Sequence, residues 1–92
     1  MPTKQSLKLS DYLKAINDEN RLAILHILKK GPRCVCEIFP ALHIPQKLAS
    51  HHLKILKDCG LVGSIRDGTK IIYDRNNMRI EEYQKLLAKT IE

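Results

Sequence analysis

The chain has no tryptophan, one phenylalanine and three tyrosines. Its apolar content is therefore mostly leucine and isoleucine, which suits a helical core. No apolar run approaches the roughly 20 residues of a membrane span; "LAILHIL" is the longest near-apolar stretch. The opening "MPTKQSLKLS" lacks the apolar centre of a secretory signal, so a cytoplasmic location is expected. Internal repeats, low-complexity tracts and linkers are also missing, which makes residues 1–92 a single domain. Cysteine occurs only three times, an odd number that argues against a disulfide framework and for thiols, metal ligands or burial. Without a C-x-x-C pair or an acid–base dyad, a small thiol oxidoreductase is a remote alternative, and no enzyme is expected.

Negative charge is the other shortage. Sixteen Lys and Arg stand against ten Asp and Glu, a formal charge of +6. That balance favours a polyanionic partner, most often nucleic acid, through phosphate contacts and counterion release. With 92 residues the core is modest, and chains of this size often gain stability by pairing with a second copy.

Apolar spacing sets out five helices and one hairpin. Leu9, Tyr12, Leu13 and Ile16 recur at helical intervals, with Ser10 as a candidate cap. A second helix runs from about Glu19 to Lys30 behind an Asp18 cap, and Leu22, Ile24, Leu25, Ile27 and Leu28 place it at the centre of the fold. Gly31-Pro32 stops it. A short helix follows from about Arg33 to Leu42, with Cys34 and Cys36 in its opening turns. The fourth runs from about Pro45 to Cys59 and ends at Gly60. Its inward stripe is Ala49, His52, Leu53 and Leu56. Lys47, Ser50, His51, Lys54 and Lys57 point elsewhere.

In "LVGSIRDGTKIIYDR", Asp67-Gly68 between two β-branched runs signals a two-residue hairpin, with arms Leu61–Arg66 and Thr69–Arg75. Asn76 or Asn77 caps a last helix striped by Ile80, Tyr83, Leu87 and Ile91. The fold expected is therefore mostly α with a small β-hairpin wing, a winged helix-turn-helix of five helices. The helix-turn-helix spans about 33–59 and the wing about 61–75, flanked by terminal helical segments at about 7–17 and 77–92.

In such a fold, base edges are met by the N-terminal half of the second motif helix. Gln46, Lys47, Ser50 and His51 occupy that half here, while Lys54 and Lys57 suit phosphates. Arg66, Lys70 and Arg75 give a basic wing for the minor groove or nearby phosphates. Double-stranded DNA is thus the expected partner.

The pieces "DENRLAILHIL", "CVCEI", "SHHLKILKDCGLV" and "RDGTKIIY" together resemble the ArsR/SmtB family of metal-sensing repressors, over about Ala15 to Tyr73. The resemblance implies a homodimer that binds an inverted-repeat operator and releases it on binding an inducer. It implies dimerisation through the first and last helices, here Leu9, Tyr12, Leu13 and Ile16 with Ile80, Tyr83, Leu87 and Ile91. The sequence departs from the family pattern at His43, where the turn commonly has Gly, at Pro45, where Ser or Thr is common, and at Leu48, usually small and polar.

Cys34 and Cys36 match the family's thiolate site for As(III), Sb(III), Cd(II), Pb(II) or Zn(II), as soft-metal chemistry requires. Nearby Lys29, Lys30 and Arg33 favour thiolate. Family members add a third cysteine nearby or from the partner's N-terminal arm. Here Phe39 stands at the nearby position, and Cys59 is either the third ligand or a buried small residue. The family's alternative site on the last helix needs Asp and His, which "MRIEEYQKLLAKTIE" lacks. His26 and His43 are isolated. Three modes of control stay open: a soft metal or metalloid at the pair, oxidation or persulfidation of its thiols, and no inducer. A direct Cys34–Cys36 bridge closes a very small ring, so oxidation is expected to recruit Cys59 or a second subunit.

Overall fold

The computed structural model describes residues 8–92. Five helices and three strands follow in the order α1 (Leu9–Ile16), α2 (Glu19–Leu28), β1 (Arg33–Cys34), α3 (Val35–Leu42), α4 (Gln46–Asp58), β2 (Val62–Asp67), β3 (Lys70–Arg75) and α5 (Asn77–Ile91). Residue 7, where the first terminal segment was expected to begin, lies outside the described residues.

Local chemistry sets most of these boundaries. The Asp18 carboxylate accepts hydrogen bonds from the Asn20 and Arg21 amides at 2.8 and 3.1 Å, capping α2. The Arg21 amide, first among several causes, holds the Asp18 carboxyl below its ordinary 3.8. Asn76 caps α5 by accepting from the Arg79 amide at 3.0 Å. Ser10 does not cap α1: it lies within the helix, whose preceding residue Lys8 makes no side-chain cap bond. Gly60, at φ 78°, closes α4 by donating to the Lys57 carbonyl at 2.9 Å.

The sheet corrects two expectations. Arg33 and Cys34 do not open the third helix; they form β1, paired antiparallel with Tyr73 and Ile72 of β3. The wing is therefore the larger part of a three-stranded sheet in the order β1-β3-β2. Its loop is also displaced by one residue. Asp67 pairs with Lys70, so the two loop residues are Gly68 and Thr69. Gly68 has φ 68° while Thr69 stays negative, the signs of a turn with glycine in its first central position.

Ile24, Leu28, Ile38, Leu53, Leu56 and Leu61 form the fully buried centre, drawn from α2, α3, α4 and the start of the wing. Tyr12 of α1 and Tyr83 of α5 close one side, stacked with ring centroids 4.5 Å apart. The terminal stripes thus differ from a free dimer face. Tyr12, Ile80 and Tyr83 are buried in this chain's own core, and Leu9 and Ile16 pack against it. Leu13 at 39 % and Ile91 at 74 % exposure are the stripe members that face outward, with Leu87 between the extremes.

Candidate nucleic-acid interface and thiol pair

The turn before α4 depends on one unusual backbone. His43 ends α3 in the left-handed region, with φ 58° and ψ 40°, a conformation histidine tolerates better than most side chains. Its amide and that of Ile44 return to the Pro40 and Phe39 carbonyls. Pro45 follows in extended geometry immediately before the first residue of α4. This N-terminus carries neither a side-chain cap nor an acidic residue in its first turn, so the positive end of the helix dipole is left open.

The two faces of α4 separate as the pattern indicates. Ala49, His52, Leu53 and Leu56 are buried. Gln46, Lys47, Ser50, His51, Lys54 and Lys57 are all exposed, as is Leu48. Lys54 reaches Asp58 one turn on, at 3.1 Å, an exposed pair of small energetic weight. Lys57 donates to the Ser64 hydroxyl of β2 at 2.8 Å, tying the far end of α4 to the wing. Arg66 and Lys70 stand exposed on either side of the wing tip. Arg75 does not join them. It pairs with Val62 at the opposite end of the hairpin, and its guanidinium donates to the Leu25 carbonyl at 3.0 Å and to Asn77 at 2.8 Å. That position is structural, locking β3 to the end of α2.

Cys34 is 4 % exposed and Cys36 is exposed. The Cys34 sulfur accepts from the Cys36 amide at 3.1 Å, and the Glu37 carboxylate accepts from the Cys34 amide at 3.0 Å. Together they build a capping box at the start of α3, with cysteine in the place usual for serine or threonine. The Glu three residues after Cys34 is the signal that reveals it in the sequence. The two sulfurs are joined in a disulfide, the bridge that ring size had argued against. Arg33 turns its guanidinium onto the Gly31 and Pro32 carbonyls.

Cys59 sits elsewhere, half-buried behind α4. Its thiol donates to the Asp11 carbonyl at 3.7 Å, and burial, with Asp11 and Asp58 adding, pushes its pKa above 9.0. Among the described residues no three His, Cys, Asp or Glu side chains gather into a metal site. Joined in the disulfide, the Cys34 and Cys36 sulfurs are not thiolate donors; only the reduced pair offers two.

One cluster escaped the sequence reading. Arg21 lies behind α4 and reaches His52, the buried polar residue of the inward stripe, at 3.2 Å. A lone arginine opening an apolar helix was the available signal.

Known proteins identify the family and the fold. Residues 18–64 match the model of the family described as bacterial regulatory protein, arsR family. An uncharacterized HTH-type transcriptional regulator of Methanocaldococcus jannaschii is 41 % identical over 81 residues, covering 87 % of this chain and 91 % of that protein. The arsenical resistance operon repressor of Staphylococcus aureus is 36 % identical over 75 residues, covering 82 % and 72 %. Among solved structures, the homodimeric winged helix-turn-helix DNA-binding domain Mb0332 of Mycobacterium bovis, a possible ArsR-family regulator, superposes with a TM-score of 0.74. It is 30 % identical and covers 90 % of this chain and 78 % of that one.

Proposed function

The chain belongs to the arsR family of bacterial regulatory proteins, and from that premise we propose that it is a homodimeric repressor gripping duplex DNA with α4 and the wing. The outward face of α4 carries this reading. It is exposed, cationic and open at its N-terminus, and Lys57 fixes it beside a basic wing. Gln46, Lys47, Ser50 and His51 are the candidates for base edges, and Lys54, Lys57, Arg66 and Lys70 for phosphates. Exposed Leu48 suits a thymine methyl. Arg75 drops out of the set because its guanidinium is spent on Leu25 and Asn77. The homodimeric state of the Mycobacterium bovis domain supports a dimer here, with the outward remnants of the α1 and α5 stripes as its contact. A two-fold dimer reads an inverted repeat, with half-sites roughly 34–36 Å or a multiple apart.

Control is placed at Cys34 and Cys36. The first reading is a soft metal or metalloid, supported by the arsenical-operon role in the name of the Staphylococcus aureus relative. Two thiolates hold such an ion only with a further donor, from a second subunit or a small thiol. The second reading is oxidation of the pair, favoured by the Cys34–Cys36 bond. There two thiols give one disulfide, and two protons and two electrons pass to an oxidant such as a peroxide. Either change acts on the same mechanical element. Cys34 caps α3 with its sulfur and pairs through its backbone with Ile72 of β3, so this one residue links the helix that supports α4 to the wing.

Fluorescence anisotropy tests this, using a duplex selected from a random pool and titrations with arsenite, cadmium, zinc and peroxide. The reduced wild type is expected to bind and then to release with one class of inducer. Cys34→Ser with Cys36→Ser keeps a capping residue at position 34, and is expected to bind DNA like wild type and ignore every inducer. Release of this double variant by arsenite, cadmium or peroxide would move the sensor elsewhere in the chain.

A further inference from the structure

Arg21 is a junction between three helices. Its Nε donates to the Ala15 carbonyl at 2.6 Å and its Nη2 to the Lys14 carbonyl at 3.3 Å. Both carbonyls belong to the last turn of α1; that of Lys14 also accepts from the Asn17 amide at 3.3 Å. The remaining arm, Nη1, lies 3.2 Å from Nδ1 of His52, which is 6 % exposed on the inward face of α4. An arginine side chain has only donors and stays charged at any ordinary pH. His52 Nδ1 must therefore carry a lone pair, which leaves the ring neutral with its proton on Nε2. Protonating Nδ1 sets a donor against a donor and a cation against a cation.

We propose that Arg21 is a positioning residue that locks α4 to the end of α1, and that the lock holds only while His52 is neutral, so that duplex binding weakens in mild acid. The proposal rests on the DNA-binding reading of α4. It also gives α1, the helix offered to a second subunit, a direct polar connection to the helix offered to DNA.

The groups facing His52 are mixed in sign, with a net shift downward. Burial first pushes its pKa below 6.5; Asp18 of α2 opposes this, and Arg21 of α2 and His51 of α4 add to it. A histidine held below its ordinary value contributes stability that is complete above 6.5 and declines as pH falls from there toward the folded-state value. Exposed His51 is the other histidine of α4 and sits on the face offered to DNA. The test therefore uses His51→Asn as background.

Two measurements decide the matter. In the full chain without DNA, ring-nitrogen NMR is expected to show His52 neutral and protonated on Nε2 near neutral pH. In anisotropy with the same selected duplex at fixed ionic strength, affinity is expected to weaken about tenfold between about pH 7.5 and about pH 5.5. His52→Asn presents an amide oxygen where Nδ1 stood and does not titrate, so it should bind as the background does at the higher pH and keep that affinity in acid. Arg21→Gln should bind more weakly throughout the range. An Nδ1-protonated ring, or an acid loss that persists in His52→Asn, overturns the lock. If no duplex binds at any pH, the DNA reading fails, and the NMR result still accepts or rejects the lock itself.

Discussion

Helices α4 and α5 are both amphipathic, yet their stripes mean different things. In α4 the apolar side is wholly internal and the opposite side is an exposed row of Lys, Ser, His and Gln. In α5 the apolar side is divided. Ile80 and Tyr83 are buried in the chain's own core, while Ile91 stands 74 % exposed. A periodic stripe says that a helix face is covered; it does not say by what. What distinguishes the two helices is the far side. The cations of α4 are concentrated on one exposed face and reinforced by Arg66 and Lys70, whereas α5 mixes Arg79, Lys85 and Lys89 with Glu81 and Glu82.

The strongest way to break this comparison is to remove the buried part of the α5 stripe. Tyr83 is 3 % exposed, stacks on Tyr12 and donates its hydroxyl to the Cys59 carbonyl at 3.4 Å. Truncating a buried aromatic costs about 3–5 kcal/mol, through lost transfer energy and the cavity left behind. Tyr83→Ala should lose that much in urea unfolding at fixed protein concentration, enough to leave a chain of this size barely folded. A loss under about 1 kcal/mol would mean that Tyr83 is not packed in the core as described.

On α4 the effect should fall on DNA instead. Lys54 is exposed and shares only a surface ion pair with Asp58. Lys54→Glu is expected to leave unfolding within about 0.5 kcal/mol of wild type. Reversing the charge should weaken duplex affinity by tenfold or more at moderate salt and lower the salt dependence by about one phosphate contact. Equal binding by wild type and Lys54→Glu would remove Lys54 from the interface.

How far these differences can be read from sequence follows from the range of the forces. Asp18 and Asn76 caps, the Gly60 stop and the inward stripe of α4 are local, and each is visible in a few residues. The His43 turn was legible only as a break before Pro45; the left-handed backbone of His43 emerges in the fold. Strand β1 was not, because Arg33 and Cys34 are extended only by pairing with Tyr73 and Ile72, about forty residues away. The turn shifted from Asp67-Gly68 to Gly68-Thr69 because register is set across the whole hairpin. Arg75 reads as a wing cation from its charge alone, and only the fold places Leu25 and Asn77 in its reach. The Arg21–His52 contact joins residues 31 apart, beyond any local pattern.

The smallest expected effect sharpens the comparison most. If the α1 and α5 stripes are shared between core and partner, their exposed members should matter to association and little to folding. Leu13 and Ile91 are the residues to change, since they remain 39 % and 74 % exposed in the single chain. Removing an exposed apolar side chain usually alters unfolding by less than about 0.5 kcal/mol. Burying one against a second copy is worth about 1.5–3 kcal/mol at most, and less at the rim of an interface. Leu13→Ala and Ile91→Ala should therefore each weaken self-association by roughly three- to tenfold in sedimentation velocity, a loss of about 1 kcal/mol, with the folded chain intact by circular dichroism. Unchanged association in both variants would assign the whole stripe to the core and leave the dimer contact to another surface. A drop in association without loss of secondary structure would divide the stripe between Ile80 and Tyr83, which build the fold, and Leu13 and Ile91, which join two folds together.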